Sequence, residues 1–493
     1  MNVFFTKNFA DTTITKKDKM SIPTNISEKA VWFNKLLDPT DNCKNLRAFC
    51  LNIFDCKLEK NQYWALRDML DPKIRYIYLS NARQAGKTFT IAMFQAIASL
   101  FPEFVIPNYP SRGNAYVFAP KKEQAEISFE RFSNLVHFNK YNIYSDSIIA
   151  DKFDKISFRN GFEVRAITAS RNAEIEGLTV FCIILDESQA ISPYKVRESI
   201  LPMGGGIEHG AKIIQCGVPG ILGSHFHKAY KNKYDPQTNP LGYVHHVYSW
   251  QDCPRLDKEY IMRLKNEDPD SFERNYELKW ERSNYGYFTT YEEYEACEED
   301  YDVHEMYKKA IENNWPMYWG IDFAKLRDST VLITVAQNPI NEHYYLVGDI
   351  IEFQGTEYID QIGYIKNIYV PGHIKHTCAD KSGVGEMPIE VLNDGGILTT
   401  GINFSLQSKD KIYKNLRYQI QNKLIHWPKK LPNKEYRKFK QEFLELEIEH
   451  KTTGLISVHH NLDDNLARDD YADALCLAIW AAAEYVEPNI SFI

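Results

Sequence analysis

A strand, a tight turn and a helix in consecutive residues constrain this chain more than any other feature. The run Arg75-Tyr76-Ile77-Tyr78-Leu79 alternates and is β-prone. Ser80-Asn81-Ala82-Arg83-Gln84-Ala85-Gly86-Lys87-Thr88 comes next, and Phe89 to Leu100 is apolar at helical spacing. Such a unit reads as a P-loop, in which backbone N–H groups and the helix N-terminus cradle phosphates. Lys87 would reach the β- and γ-phosphates, and the Thr88 hydroxyl would hold Mg2+. The usual GxxxxGK(S/T) pattern wants glycine where Asn81 stands, and asparagine is the next most tolerant residue in a left-handed turn. The bland alternative is a Lys-Thr pair at an ordinary helix start, and the rest of the chain weighs against it.

Beyond the loop, the segments have the order of a parallel sheet. Ala115-Tyr116-Val117-Phe118-Ala119-Pro120 reads as a second strand, with a helix from about Lys122 that contains Gln124-Ala125. Strand, helix, strand in this order builds a parallel sheet through right-handed crossovers. Ile156-Ser157-Phe158 and Phe162-Glu163-Val164, joined by Asn160-Gly161, read as a β-hairpin. The uninterrupted apolar run Val180 to Leu185 suits a central strand covered on both faces, and it ends in Asp186-Glu187. Acids there lie at the crevice where open α/β sheets bind ligands. Asp186 can hold the Mg2+ water shell, and Glu187 can polarise an attacking water. The strand Ala211 to Cys216 runs into Gly217-Val218-Pro219-Gly220, a turn placed to sense a γ-phosphate. Upstream, Gln62 opens a helix running to Leu70, and its amide could pair with an adenine edge or simply face solvent.

Composition sets the bounds. At 493 residues the chain is too long for one core, so two or three domains are expected. Charged residues at 25% and hydrophobics at 44% describe a globular protein, and the formal charge of −8 argues against coating nucleic acid by bulk charge. A local basic patch remains at Lys429, Lys430, Lys434, Arg437, Lys438 and Lys440; it reads equally well as a solvated helix face. Nine cysteines without a CxxC pair fit unpaired thiols in a reducing compartment, and no zinc site is expected. Met1 to Met20 is polar, without a secretory h-region, and the longest apolar run, Ala474 to Ala483, is half a membrane span. A soluble, intracellular protein is expected.

The second half begins a new unit. Tyr234 to Asp300 is rich in turns, charges and aromatics, and the acids from Glu292 to Asp302 suggest an exposed connector. Met317 to Phe323 is an apolar strand bearing Asp322, followed by strands at Val331 to Val335 and Tyr344 to Phe353. A helix from Glu357 to Tyr369 leads to a strand that ends at Asp380. Asp469-Asp470-Tyr471-Ala472-Asp473 then opens an apolar helix. Acids at two strand ends and a helix start form the pattern of an RNase H-like nuclease, in which carboxylates converge on two divalent metals. Asp469 or Asp470 shares a helix face with Asp473. Capping of the helix is the alternative role for Asp469 and Asp470.

The ordered series resembles the large subunit of the tailed-phage terminase, the DNA-packaging motor. On the ATPase side the resemblance rests on Arg83 to Thr88, Ala119-Pro120 with Gln124-Ala125, Glu176-Gly177-Leu178-Thr179 before Leu185-Asp186-Glu187, Gly217 to Gly220, and Ser224 to Lys228. On the nuclease side it rests on Asp322, Asp380 and Asp470-Tyr471-x-Asp473-Ala474-Leu475. Asp268 to Tyr276 resembles the segment closing the family's ATPase domain, and Glu176 departs from the arginine more usual in relatives. The resemblance implies a P-loop (RecA/ASCE-like) parallel-sheet ATPase domain over 58–285; before it, Glu28 to Leu37 and Asn45 to Phe54 read as short helices of a helical leader over 1–57. A linker over 286–305 and an RNase H-like α/β nuclease domain over 306–493 would complete the chain.

It further implies that ATP is bound by Gln62, Arg83, Gln84, Ala85, Gly86, Lys87, Thr88 and Asp186, with Arg83 as a cis arginine finger and Glu187 catalytic. Mg2+ or Mn2+ would be held by Thr88 and Asp186 in one site, and by Asp322, Asp380, Asp469, Asp470 and Asp473 in the other. Implied partners are double-stranded DNA, the portal protein of a prohead, the small terminase subunit and further copies in a ring, all in host cytoplasm with no membrane. Two rivals remain. A helicase-nuclease of repair or defence would need a second ATPase lobe, for which nothing after Gly220 reads as a further sheet. A non-catalytic ATP-gated DNA-binding module would not need Lys87, Asp186, Glu187 and the later acids all intact.

Overall fold

The computed structural model describes residues 25–485 except 107–108, 110–111, 171–172, 174, 176, 209, 268, 281–284, 324–328, 339–343, 383–385, 452–453 and 462–466. Glu176 and part of the Asp268 to Tyr276 segment therefore lie outside the described residues. The chain divides into two compact units, Met1–Ser283 and Asn284–Ile493.

In the first unit the apolar runs form an eight-stranded sheet. In chain order its strands are β1 (Tyr76–Asn81), β2 (Gly113–Ala119), β3 (Ile148–Lys152), β4 (Lys155–Phe158), β5 (Phe162–Thr168), β6 (Cys182–Leu185), β7 (Lys212–Gly217) and β8 (Val244–Tyr248). They lie side by side as β3-β4-β5-β2-β6-β7-β1-β8. From β5 to β8 every pair is parallel, and the antiparallel pairs are β3–β4 and β4–β5. The strand that ends in Asp186 is separated by β7 from the strand that enters the P-loop. That insertion defines the RecA/ASCE-like arrangement, with both loop and acids at the C-terminal edge of the strands. β4 and β5 form the expected hairpin, and Gly161 at its turn takes φ 83°. One strand was not legible in the sequence, nor was the packing of the expected leader helices into the core of this unit. β8, inside the turn-rich stretch after Gly220, extends the same sheet beyond β1. The helices Ile26–Leu36 and Thr40–Phe54 bury Phe33, Leu36, Leu46 and Phe49 in the core shared with β1 and the helix Lys87–Leu100.

The second unit introduces β9 (Tyr285–Tyr287), β10 (Glu298–Glu299), β11 (Met317–Asp322), β12 (Thr330–Gln337), β13 (Tyr345–Phe353), β14 (Ile374–Asp380), β15 (Thr399–Ile402), β16 (Ile425–Pro428), β17 (Glu447–His450) and β18 (Ile456–His459). Its main sheet is ordered β10-β16-β13-β12-β11-β14-β15, and a small sheet is ordered β18-β17-β9. β12 is antiparallel to both β11 and β13, whereas β14 and β15 continue parallel to β11. This is an RNase H-like core. Within the acid-rich stretch, the helix Tyr291–Ala296 buries Tyr291 and Tyr294, and the Tyr294 ring stacks on Trp427 at 4.5 Å.

The helix Asp470–Glu484 lies across β11 because neither face resists close approach. A Cβ built on Gly320 would fall 2.0 Å from the Ala474 carbonyl oxygen and 2.3 Å from the Ala478 nitrogen. Glycine in the strand and alanines on the helix thus set the sheet-to-helix distance, and with it the distance between Asp322 and the helix acids. All nine cysteines are buried and free. Among the described residues, no helix is long and apolar enough to cross a membrane.

Candidate functional site

The loop after β1 folds as a cradle of backbone N–H groups. β1 ends at Asn81, and the left-handed backbone falls at Gln84 (φ 62°) and Gly86 (φ 88°) rather than at position 81. Asn81 is strand, so the tolerance of asparagine for a left-handed turn is not what retains it there. Gly86 is the N-cap of the helix Lys87–Leu100, whose first-turn N–H groups therefore face the loop. Lys87 is buried and donates to the Asn81 carbonyl at 2.9 Å, folding the loop across itself. The Asn81 side chain is buried with neither amide atom paired within the protein. A buried, unpaired polar group and an N–H cradle suit a polar ligand such as a nucleotide phosphate.

Three further groups surround the loop. A Cβ on Gly86 would meet Gln62 Nε2 at 2.7 Å and Arg255 Nη2 at 2.9 Å, so both side chains close on the backbone there. Gln62 is buried, and its Oε1 accepts from the Glu59 N–H at 2.9 Å as a cap of its own helix. Asn61 donates to the Ala85 carbonyl at 2.9 Å. Arg255 donates to the Gln84 carbonyl at 2.7 Å, from the segment in which Trp250, Cys253, Ile261 and Phe272 pack on Ala82 and Ala85. Arg83 is exposed, and its Nε donates to Asn275 Oδ1 at 3.0 Å. Arg255 was missed in the sequence because it lies 171 residues from its partner, in a stretch without an apolar pattern.

The acids meet this loop from β6. Asp186 is buried, and its carboxyl is pushed up to about 6 by burial and by Glu187, against the opposing pull of Lys87. Glu187 is left-handed, with φ 51° and ψ 45°, so the chain turns sharply as it leaves the strand. Its Oε2 accepts from Gln189 Nε2 at 2.6 Å. Ser188 donates to Gln215 Oε1 on β7 at 2.9 Å. Thr88 sits at the loop's exit into the helix, half-buried.

In the second unit, adjacent parallel strands bring two acids to one edge. Ile321 on β11 pairs with Ala379 on β14, so Asp322 and Asp380 leave the sheet side by side. Burial drives the Asp322 carboxyl well above the ordinary carboxylate range, and Asp473, Asp470 and Asp380 push it further, in that order. Asp380 is also raised by burial, although its Oδ1 accepts from the Ser382 N–H at 2.8 Å. Asp473 is raised to about 6 by burial, against Lys409. Asp322, Asp380, Asp470 and Asp473 therefore form one electrostatic cluster.

Lys409 is the cation of that cluster and was not read from the sequence. It donates to Asp473 Oδ2 at 2.7 Å and stands 3.5 Å from Asp469 Oδ2. Tyr413 donates to Asp473 Oδ1 at 2.6 Å. Asp469 is the N-cap residue of its helix, but its side chain makes no capping bond; it pairs with His460 Nδ1 at 3.1 Å. Capping falls instead to Glu442, whose Oε1 accepts from the N–H groups of Tyr471 at 2.7 Å and Ala472 at 3.1 Å. The alternative of Asp469 as a side-chain cap is thus corrected: a carboxylate 29 residues upstream of Tyr471 already fills that place.

Among the described residues, no group of three or more His, Cys, Asp and Glu is arranged to hold a metal ion as it stands. The donor chemistry nevertheless suits a hard divalent cation: the ligands are all oxygen, and the raised Asp322 and Asp473 carboxyls mark negative charge that a cation would neutralise. In the basic patch, Lys438 pairs with Glu352, and Lys440 lies 3.5 Å from Glu298.

Fold and sites together define a class: a P-loop ASCE-type unit followed in one chain by an RNase H-like unit with a buried acid cluster. Among solved structures, the chain is similar to the HK97 bacteriophage large terminase, at 15% identity over 86% of this chain and 94% of that one, with a TM-score of 0.42. It is similar to a large terminase from a thermophilic bacteriophage, at 14% identity over 86% of this chain and 98% of that one, TM-score 0.37. A large terminase nuclease from thermophilic phage G20c with bound magnesium is 19% identical, covering 34% of this chain and 82% of that one, TM-score 0.28. No family model and no curated protein matches the chain.

Proposed function

We propose that the chain is a terminase large subunit, an ATP-driven motor for double-stranded DNA joined to a metal-dependent endonuclease that cuts concatemers. The observation that supports this best is the pairing, in one chain, of the loop-plus-acid crevice at Lys87, Asp186 and Glu187 with the acid cluster at Asp322, Asp380, Asp470 and Asp473. In the first unit, the loop N–H groups and Lys87 would hold the nucleotide phosphates, with Gln62 and Arg255 closing over the backbone at Gly86. Thr88 and Asp186 would hold Mg2+, and Glu187 would orient the attacking water. Arg83, tied through Nε to Asn275, would offer its remaining guanidinium N–H groups to developing phosphoryl charge.

In the second unit, Asp322, Asp380, Asp470 and Asp473 would hold divalent cations, with Asp469 beside them. Cations bound there would supply activated water and stabilisation of the leaving oxygen. The protein's own part is to fix the carboxylates: Gly320 sets the spacing, Glu442 anchors the helix start, and Tyr413 orients Asp473. The implied partners are DNA, a prohead portal, a small subunit and further copies in a ring. The test is ATP-dependent packaging of DNA into purified proheads, with nicking assayed alongside under Mn2+ and under EDTA. A chain that hydrolyses ATP and nicks DNA yet never packages it is instead a helicase-nuclease.

A further inference from the structure

We propose that Gln189 is the positioning residue of the nucleotide crevice, its amide tying the Glu187 carboxylate to the turn Gly217–Gly220 so that turn and carboxylate move together. The inference rests on reading Glu187 as the group that orients water.

Both ends of the amide are engaged. Nε2 donates to Glu187 Oε2 at 2.6 Å, and Oε1 accepts from the Val218 N–H at 3.3 Å. One planar group therefore joins the acid after β6 to the turn after β7. The same side chain explains two glycines. A Cβ on Gly217 would fall 2.1 Å from Gln189 Oε1, and a Cβ on Gly220 would fall 2.8 Å and 2.9 Å from its Cγ and Cβ. Neither glycine is in the left-handed region, so backbone freedom is not what they supply. They supply room for Gln189.

The neighbours of Gln189 are held as well. Ser188 is pinned to Gln215 on β7, and Gln215 Nε2 in turn donates to the Tyr243 hydroxyl at 2.7 Å. Glu187 itself sits in a left-handed conformation uncommon for a residue with a Cβ, so its carboxylate direction depends on what grips it. Gln189 is the grip. β7 lies between the P-loop strand and the acid strand, so its C-terminal turn borders the place where the terminal phosphate would lie. A shift of that turn is passed to Glu187 through one amide.

The test uses the full chain with Gln189→Ala, Gly217→Ala and the double variant, read by unfolding midpoint and by ATP turnover. Gly217→Ala should lower the midpoint in the wild-type background and much less beside Gln189→Ala, where its closest obstruction is gone and Phe226 stands at 3.2 Å. Gln189→Ala should lower kcat about tenfold and leave KM for ATP within about twofold, because Gln189 is bonded to the carboxylate read as orienting the water. Exchange of the Val218 amide hydrogen should quicken. Gln189→Glu keeps the length of the side chain but replaces the donating NH2 with an acceptor oxygen, and should lower kcat as far as Gln189→Ala with KM unchanged, a split that a merely structural side chain would not give. Additive midpoint losses, or wild-type kcat in Gln189→Glu, would overturn the proposal. Wild-type turnover by Glu187→Gln would remove the role read for Glu187, while the midpoint cycle would still report the Gln189–Gly217 contact.

Discussion

The two acid sites solve the same electrostatic problem with different geometry. In each, a buried aspartate is raised to about 6, Asp186 in one and Asp473 in the other, and in each a lysine opposes the shift. Lys87 gives its hydrogen bond to the Asn81 carbonyl, a backbone group in its own loop. Lys409 bonds Asp473 directly. A cation approaching Asp186 therefore meets a carboxylate not hydrogen-bonded to the nearby ammonium. A cation approaching Asp473 must displace an ammonium first. The crevice is built on one loop that Asn61 and Arg255 brace from outside; the cluster is tied by a lysine bonded directly to its acid.

The broadest way to break this comparison is to remove one acid from the cluster. Asp322→Asn or Asp380→Asn should abolish metal-dependent cutting and leave ATP hydrolysis at the wild-type rate, read on one preparation with a plasmid-nicking and a phosphate-release assay. Cutting by Asp322→Asn at the wild-type rate would remove the nuclease assignment. The converse variants act on the other unit. Lys87→Ala or Glu187→Ala should lower ATP turnover by at least ~10²-fold while nicking survives, the scale of losing one charge-stabilising or water-positioning group. Turnover near wild type in both would end the motor reading.

Lys409→Met sharpens the contrast. Leaving the buried Asp473 carboxylate without the half-buried ammonium of Lys409 should destabilise the metal-free protein, seen as a lower denaturation midpoint in EDTA. Mn2+ should restore much of that loss and should bind more tightly than to wild type, since it no longer competes with an ammonium. Equal Mn2+ affinity in the two proteins would show that Lys409 is not in the cation's way.

The smallest expected effect concerns pH. Asp186 has a folded value of about 6 against an ordinary 3.8. Below 3.8 the carboxyl is protonated in both folded and unfolded chains and changes nothing. Between 3.8 and about 6 only the unfolded chain ionises, so stability falls, and above about 6 the penalty is complete. Asp186→Asn should therefore raise the denaturation midpoint at about pH 7.5 by up to about 3 kcal/mol of stability, a gain that shrinks as pH falls toward 3.8. A gain of the same size at about pH 4.5 would assign the effect to packing rather than charge.

The two sites were also unequally legible. Lys87, Thr88, Asp186 and Glu187 could be read because the strand, turn and helix of a P-loop are consecutive, and because a doubly covered strand must be apolar until its acids. Asp322, Asp380 and Asp473 could be read as candidates, since an acid at the end of an apolar strand or at a helix start stands out locally. Gln189 lay two residues beyond Glu187, close enough to notice, but nothing in the sequence tells which way its amide turns.

By itself the sequence determined much of the local backbone: the strand and helix on either side of the loop, the apolar strand that runs into Asp186, and the β4–β5 hairpin. Those properties follow from side-chain period and backbone sterics within a few residues. Tertiary structure alone decided that β7 separates β1 from β6, that Gly320 lets a helix close on β11, and that His460 and Lys409, rather than a capping bond, hold Asp469. It also decided that Glu442 caps that helix and that Arg255 crosses to the P-loop. Each of these joins residues far apart in the chain, and charge and space at such contacts depend on distances that only the packed fold sets.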